Sequence, residues 1–386
     1  MTSDSPEAVR RRVRQLRAAV YARPDPAADP ALLAELARAE AALHAIPAPP
    51  VAPAATPEAT PAGRLLGPDT TRLKVETVVR LNPVPTAIYP LLDPDTDPLV
   101  TVTVTNTSLD ATARRVRVKA YVEGLSAEAV RTVEVKKKNS SPPINLLPLL
   151  FPERARLLTT VQRATLHVQV DDLDGKPESH DTYPLVFLAR SSGFNAARDP
   201  KTGEPKDLTH YYAAWVTPFA EPVQQVIRRA AALHPKGLLG DGDPRAQAAA
   251  LYAALRACDL AYVNSVTDYG GGPGQATQRA RLPREALELK SANCVDGAVL
   301  FASLLEGASL SPALLLIPGH ALVGWETLDG YGDWQFLETT MLATADFEAA
   351  CRSGQAQYEA AAAHYPDRVR LHRLADLRAR GIWPME

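Results

Sequence analysis

The chain has 386 residues, with 42 Lys and Arg against 44 Asp and Glu and a formal net charge of −2. This near-balance excludes a protein built to coat nucleic acid or anionic lipid, so we expect no nucleic-acid partner and no membrane partner. The sequence contains only three cysteines and no Cys-x-x-Cys pair, which excludes a zinc ribbon or a disulfide framework as the organising principle.

The sequence predicts a cytoplasmic protein without a membrane-spanning segment. The N-terminus is polar and leads into Arg10–Arg12 without the apolar stretch that signal peptides carry. The longest aliphatic runs, such as 313–317, are far shorter than the ~20 apolar residues that a spanning helix needs. The cysteines show no pairing pattern, which fits a reducing compartment: Cys258, Cys294 and Cys351.

Residues 1–45 predict a helical hairpin. Apolar residues recur at helical spacing from Val9 to Val20, and Pro24-Asp25-Pro26 ends that helix. Pro30 is placed to begin a second helix, which carries leucines on one face. We interpret the hairpin as an appendage that packs or dimerises, and binding of a protein partner stays open as the alternative.

Residues 46–71 predict a linker. As far as residue 64 the segment is rich in proline and alanine. Such a composition has few backbone donors and little apolar bulk, so the chain stays extended and solvated. The linker therefore separates the helical hairpin from the domain that follows.

Residues 72–190 predict an immunoglobulin-like β-sandwich. Apolar and polar residues alternate at 99–105, 116–122 and 164–170, as they do in strands with one buried face. Two further strands are predicted at 130–135 and 183–188. About seven short strands in a segment of this length are typical of the architecture. A protein partner bound by the sandwich stays open.

Residues 191–386 predict a further domain with both helices and strands, so the whole chain is predicted to be a multidomain α+β protein. Its first part, 191–215, is interpreted as a polar connector. Two helices are predicted at 222–234 and 245–261. A helix followed by three strands is predicted between residues 282 and 340. The candidate catalytic residues come from this last segment.

Cys294 is the candidate nucleophile because it falls in the first turn of a predicted helix. Ser291 or Asn293 can cap that helix. An apolar stripe from Val295 to Leu305 makes the helix central, and Gly307 is placed to end it. The unsatisfied N–H groups and partial positive charge of a helix N-terminus stabilise a thiolate and, later, an oxyanion. A cysteine with only a packing role gains nothing from this position.

His320 and Glu338 are the candidate partners of that thiol. His320 begins the second predicted strand, and Glu338 lies near the end of the third. A hairpin centred on residue 329 places the two residues opposite each other, and one centred on residue 330 makes them diagonal neighbours on the same face. A carboxylate beside an imidazole fixes its tautomer and supports the imidazolium. We therefore expect Cys294 as nucleophile, His320 as general base and then acid, and Glu338 as orienting group.

Residues 245–345 resemble the transglutaminase-like superfamily, the circularly rearranged relatives of papain-type cysteine proteases. The resemblance rests on three segments, which are Leu282-Pro283, Asn293-Cys294-Val295-Asp296 and Pro318-Gly319-His320-Ala321. Together these segments are similar to a bacterial branch of the family. It implies a papain-like fold, a Cys-His-acid triad and an acyl-enzyme, with no cofactor and no metal. Glu338 departs from the aspartate of most members.

The resemblance also requires an oxyanion donor, for which Gln278 is the candidate because it precedes Cys294 in a polar segment. The implied activity is that of a cysteine peptidase or amidase on a protein or peptide substrate. An amide acyl transferase stays open, because water and an amine serve the same triad. The alternative from another class is an inactive adaptor whose helical hairpin or sandwich binds protein partners.

The other two cysteines, Cys258 and Cys351, are interpreted as packing residues. Zinc bound by the three triad side chains is disfavoured, because a structural zinc site needs a fourth ligand.

Overall fold

The protein has a mixed α+β structure, as the sequence predicts. The computed structural model describes scattered helical positions between 9 and 42 and the following residues: 63–66, 73–107, 113–173, 177–198, 205–234, 238, 242–264, 276–327 and 332–385. In the N-terminal segment, an ion pair joins Arg12 to Glu35. The hairpin arrangement predicted for residues 1–45 otherwise lies largely outside the described residues.

The strands are numbered in chain order. In the described residues they are β1 Gly63–Leu66, β2 Leu73–Val79, β3 Val100–Asn106, β4 Ala113–Val122, β5 Ala129–Lys136, β6 Ile144–Leu146, β7 Gln162–Asp172, β8 Pro177–Phe187, β9 Ser192–Arg198, β10 Pro205–Asp207, β11 Ala261–Tyr262, β12 Ala276–Arg279, β13 Ser291–Ala292, β14 Pro312–Ile317, β15 His320–Glu326, β16 Trp334–Leu337 and β17 Arg370–Arg373.

The α-helices from residue 63 onward are numbered in the same way. They are α1 Pro152–Ala155, α2 Glu221–Leu233, α3 Pro244–Arg256, α4 Pro283–Leu289, α5 Cys294–Gly307, α6 Phe347–His364 and α7 Leu374–Ala379. Short 3-10 helices occur at Tyr89–Leu91, Thr209–Trp215, Thr339–Met341 and Pro366–Arg368.

The chain divides into two compact units. One comprises Met1–Pro50, Asp207–Thr267 and Arg279–Glu386, and the other comprises Val51–Lys206 and Asp268–Gln278. The candidate triad lies in the first of these, which we call the thiol unit. The second is called the β unit.

The β unit contains two antiparallel sheets that share one hydrophobic core. The larger sheet has the strand order β1-β8-β7-β4-β5, and the smaller has the order β2-β3-β6. Alternation contributes to this core, because Val102 and Val104 of β3 are fully buried, while Thr103 between them and Thr105 after them are only partly buried. The identity of this pair of sheets as an immunoglobulin-like domain stays a prediction.

Two segments differ from their sequence-based interpretation. The segment 46–71 was predicted to be an extended linker, yet its residues 63–66 form β1, which pairs antiparallel with β8. The segment 191–215 was interpreted as a polar connector, yet it contains β9, β10 and a 3-10 helix. Both errors have the same cause: the elements are short, and partner strands and buried aromatic side chains stabilise them rather than any local periodicity.

The thiol unit is built around a four-stranded antiparallel sheet with the order β16-β15-β14-β17. Helix α5 packs against β15, and α6 packs against β16. All of α5 from Cys294 to Leu305 is buried, so it is the central helix that the apolar stripe predicts. It ends at Gly307, also as predicted.

Close packing at two glycines fixes α6 against the sheet and α5 against the 3-10 helix Thr339–Met341. A Cβ atom on Gly354 of α6 would lie 2.7 Å from the backbone nitrogen of Leu337 in β16. A Cβ atom on Gly297 of α5 would lie 2.5 Å from Thr339 Oγ1. Only glycine permits these approaches, and both contacts lie within one residue of Glu338 in the sequence.

Candidate active site

Asn293 caps helix α5 and places Cys294 at its first position. The Asn293 side chain accepts a hydrogen bond from the backbone N–H of Asp296 at 2.8 Å, and the Asp296 carboxylate accepts one from the Asn293 N–H at 3.0 Å. This reciprocal capping box confirms one of the two caps that the sequence predicts. Cys294 is therefore held at the positive end of the helix dipole, with 7% of its surface exposed.

Asp296 ties the start of α5 to the segment before α4. Its carboxylate accepts hydrogen bonds from the Arg281 backbone N–H at 2.7 Å and from the Arg281 guanidinium at 2.9 Å. Burial raises the pKa of Asp296, and the N–H groups of Arg281 and Asn293 together with the Arg281 charge oppose that rise. These contacts give Asp296 a structural role at the cysteine: it fixes the turn from which Cys294 projects.

His320 follows a tight two-residue turn between β14 and β15. Ile317 pairs directly with His320, and Gly319 supplies the positive φ of 77° within the turn. Across the next strand pair, Val323 lies opposite Leu337, so the hairpin is centred on residue 330. This is the second of the two registers that the sequence allows, although the pairing ends at Leu337 and Glu338 lies one residue beyond β16.

The His320 ring contacts both of its predicted partners. Its Nε2 lies 2.6 Å from Glu338 Oε2, and its side chain also hydrogen-bonds the side chain of Cys294. The structure therefore brings Cys294, His320 and Glu338 into a single row.

The electrostatics of this row favour a protonated imidazole. Burial alone lowers the pKa of His320, but the charge of Glu338 and the hydrogen bonds to Cys294 and Glu338 outweigh it and raise the pKa to about 10. The pKa of Glu338 is lowered: burial opposes ionisation, while His320 and the hydrogen bonds from Thr340 favour it more strongly. Both shifts favour the charged forms, an imidazolium beside a carboxylate.

Glu338 is fully buried and has donors on both oxygens. Oε1 accepts hydrogen bonds from the backbone N–H of Thr340 at 2.9 Å and from its hydroxyl at 2.7 Å. Oε2 accepts from His320 and, at 2.7 Å, from the side-chain amide of Gln357 in α6. Sequence reasoning missed Gln357. The sequence signal that could have found Gln357 is that this polar residue lies on the helix face that also carries the buried Ser353 and Gly354.

Gln278, the candidate oxyanion donor, lies in β12, a strand of the β unit except for its last residue. Its side-chain amide nitrogen is buried and has no hydrogen-bond partner among the described residues. Its role as an oxyanion donor stays a prediction.

The other two cysteines do not join the site. Both are free thiols, and burial raises the pKa of Cys351 to about 12. Cys258 lies just beyond α3, which ends at Arg256, so the prediction that this helix extends to residue 261 is wrong. Across the described residues, no group of three His, Cys, Asp or Glu side chains is placed to hold a metal ion.

A small pocket with about 220 Å³ of empty space adjoins the residues that flank the triad. Asn293, next to Cys294, contributes to its wall, as do Thr339 and Thr340, next to Glu338. The remaining lining is largely apolar: Leu260, Ala261, Tyr262, Ala292 and Leu342. The pocket is lined by residues next to the triad and not by the triad side chains themselves.

Comparison of the chain with protein-family models, with curated proteins and with solved structures finds no match. Of the helices that the structure describes, none has the length and apolar character needed to cross a membrane.

Proposed function

We propose that the protein is a cysteine peptidase or amidase that acts on protein or peptide amides through an acyl-enzyme. The observation that carries the proposal is the buried Cys294–His320–Glu338 row, in which three separate elements supply a thiol, an imidazole and a carboxylate. A cysteine that only packs does not require a hydrogen-bonded imidazole beside it. An imidazole that only packs does not require a buried carboxylate.

In the proposed reaction His320 already holds the proton of Cys294 as an imidazolium, and the sulfur attacks the amide carbonyl carbon as a thiolate. The tetrahedral intermediate collapses when His320 gives that proton to the leaving amine, which breaks the C–N bond and leaves a thioester on Cys294. Water then attacks the thioester and releases a carboxylic acid; an amine in place of water gives a new amide. Glu338 keeps the ring oriented throughout.

We further propose that the thiol unit is a transglutaminase-like domain and the β unit an immunoglobulin-like one. Support for the first is the order of its parts: a cysteine at the start of a central helix, then a histidine that begins one strand and an acid that directly follows the next strand of the same antiparallel sheet. Support for the second is the pair of antiparallel sheets around a single core. Three free cysteines fit the cytoplasm as the proposed compartment.

The test is alkylation with iodoacetamide at neutral pH, followed by mass spectrometry of all three cysteine peptides. We expect Cys294 to react faster than free cysteine, while Cys258 and Cys351 serve as internal comparisons in the same molecule. A Cys294→Ala variant should lose all cleavage of a panel of peptide amides. If Cys294 reacts no faster than free cysteine and the variant matches the wild type, the enzyme proposal is wrong.

The second candidate function is that of a non-catalytic adaptor. One observation favours it: only 7% of Cys294 and 8% of His320 are exposed, so the row is nearly covered. An adaptor predicts a Cys294 that stays unreactive and a triad whose loss affects stability alone. The alkylation experiment therefore separates the two functions.

A further inference from the structure

The acceptor oxygen that binds His320 is shared with a second donor. Glu338 Oε2 accepts from His320 Nε2 at 2.6 Å and from Gln357 Nε2 at 2.7 Å, while Thr340 occupies Oε1. Gln357 is itself buried and is steadied by a 3.2 Å hydrogen bond to Ser353 Oγ one turn earlier in α6. The carboxylate thus receives four hydrogen bonds, which is about its full capacity.

The sharing of Glu338 Oε2 between His320 and Gln357 has a chemical consequence. An ionised carboxylate oxygen that already accepts one hydrogen bond is a weaker base toward the next donor. Without Gln357, Oε2 would direct its full basicity at His320, and the imidazolium would become a poorer acid. The proposed reaction needs the opposite, because His320 must give its proton to the leaving amine.

We propose that Gln357 is a positioning residue that holds Glu338 in place and lowers the basicity of Glu338 Oε2 toward the His320 proton. This inference rests on the proposed function for its purpose, but the hydrogen-bond network itself can be tested without it. The charged or titratable groups that act on His320 are Cys294 from α5 and Glu338 at the end of β16.

The test follows His320 by NMR of protein with ¹⁵N-labelled histidine, over neutral to alkaline pH. A Gln357→Met variant keeps the length of the side chain and removes the donor. We expect the pKa of His320 to rise by about one unit, which corresponds to about a tenfold change in proton affinity. The matched control is Gln355→Met in the same helix, where the Gln355 side-chain amide donates a hydrogen bond to Glu359 at 2.9 Å. It should leave the titration unchanged.

A second variant guards against misfolding. Gln357→Asn keeps the amide but is one methylene too short to reach Oε2, and it should shift the titration in the same direction. An unchanged or lowered pKa of His320 in a folded variant would overturn the role of Gln357. Slow alkylation of wild-type Cys294 would instead overturn the proposed function, and the two failures are read from different experiments.

Discussion

His320 Nε2 lies 2.6 Å from Glu338 Oε2 although Glu338 lies one residue beyond β16, and the register of β15 and β16, if continued, would make the two residues diagonal rather than opposite. Diagonal neighbours on a sheet face are about 7–8 Å apart, so the side chains must reach. Glutamate is one methylene longer than the aspartate of most members of the family that the sequence resembles. The longer side chain therefore suits this register, and the departure at residue 338 has a geometric explanation.

That explanation predicts the effect of shortening the acid. Glu338→Asp keeps the charge but withdraws the carboxylate from His320, and Glu338→Gln keeps the length but removes the charge. We expect both variants to lower the pKa of His320 and to slow acyl transfer by roughly 100-fold. The control is Glu326→Gln, a buried carboxylate at the other end of β15, which should keep the alkylation rate of Cys294. Full activity of Glu338→Asp would contradict the geometric explanation.

The Arg281–Asp296 pair predicts a loss of stability. Asp296 is fully buried, and Asp296→Asn leaves the guanidinium of Arg281 without its carboxylate. Breaking a buried pair from one side costs about 3–5 kcal/mol, so urea denaturation should show a loss of that size. A double variant, Asp296→Asn with Arg281→Met, should recover part of the loss. Equal stability of Asp296→Asn and wild type would show that the pair contributes nothing.

The close packing of Gly354 predicts that alanine at this helix position lowers the stability of the protein. Alanine normally stabilises a helix interior by about 1 kcal/mol relative to glycine. Here the added Cβ would lie 2.7 Å from the Leu337 nitrogen and 2.8 Å from the Phe336 carbonyl, and backbone atoms cannot move aside cheaply. We expect Gly354→Ala to lower the free energy of unfolding by about 1–3 kcal/mol. Gly242→Ala, which meets nothing within 4 Å, is the control; a stabilised Gly354→Ala would refute the clash.

His372 predicts acid sensitivity of the thiol unit. Burial lowers the pKa of His372 to about 4, despite the opposing charge of Asp207, and its Nε2 lies 2.8 Å from Thr209 Oγ1. An unfolded histidine titrates near pH 6.5, so only the unfolded state binds this proton between about 6.5 and 4. Its stabilising contribution is therefore complete above pH 6.5 and is lost as the pH falls toward 4.

Denaturation at several pH values tests whether stability falls with pH in this range. His372→Gln cannot be protonated and should show a flatter loss of stability below pH 6.5 than the wild type. His364→Gln, at an exposed position near the end of α6, should keep the wild-type slope. Identical slopes for His372→Gln and wild type would show that His372 does not carry the effect.

Local signals in the sequence were sufficient for α5 and for the β15–β16 hairpin. The Asn293 cap, the apolar stripe and Gly307 set the two ends of the helix, and period-two geometry places His320 and Glu338 on one face whichever register holds. The site could therefore be predicted from about sixty consecutive residues.

Distant partners could not be predicted in this way. Gln357 reaches Glu338 only because α6 packs against β16, and a contact between elements leaves no mark on local periodicity. The edge strand β17 has the sequence Arg-Leu-His-Arg, with no apolar alternation, and is a strand because β14 offers it a partner. Both depend on tertiary packing, which overrides local propensity.

The central claim is that Cys294 becomes acylated with the help of His320. The direct measurement is the mass of the protein after brief incubation with an activated acyl ester and acid quench, with the adduct mapped by peptide sequencing. We expect one acyl group on Cys294, released by hydroxylamine and absent from His320→Ala. No adduct on wild-type Cys294, or an equal adduct on His320→Ala, would contradict the account.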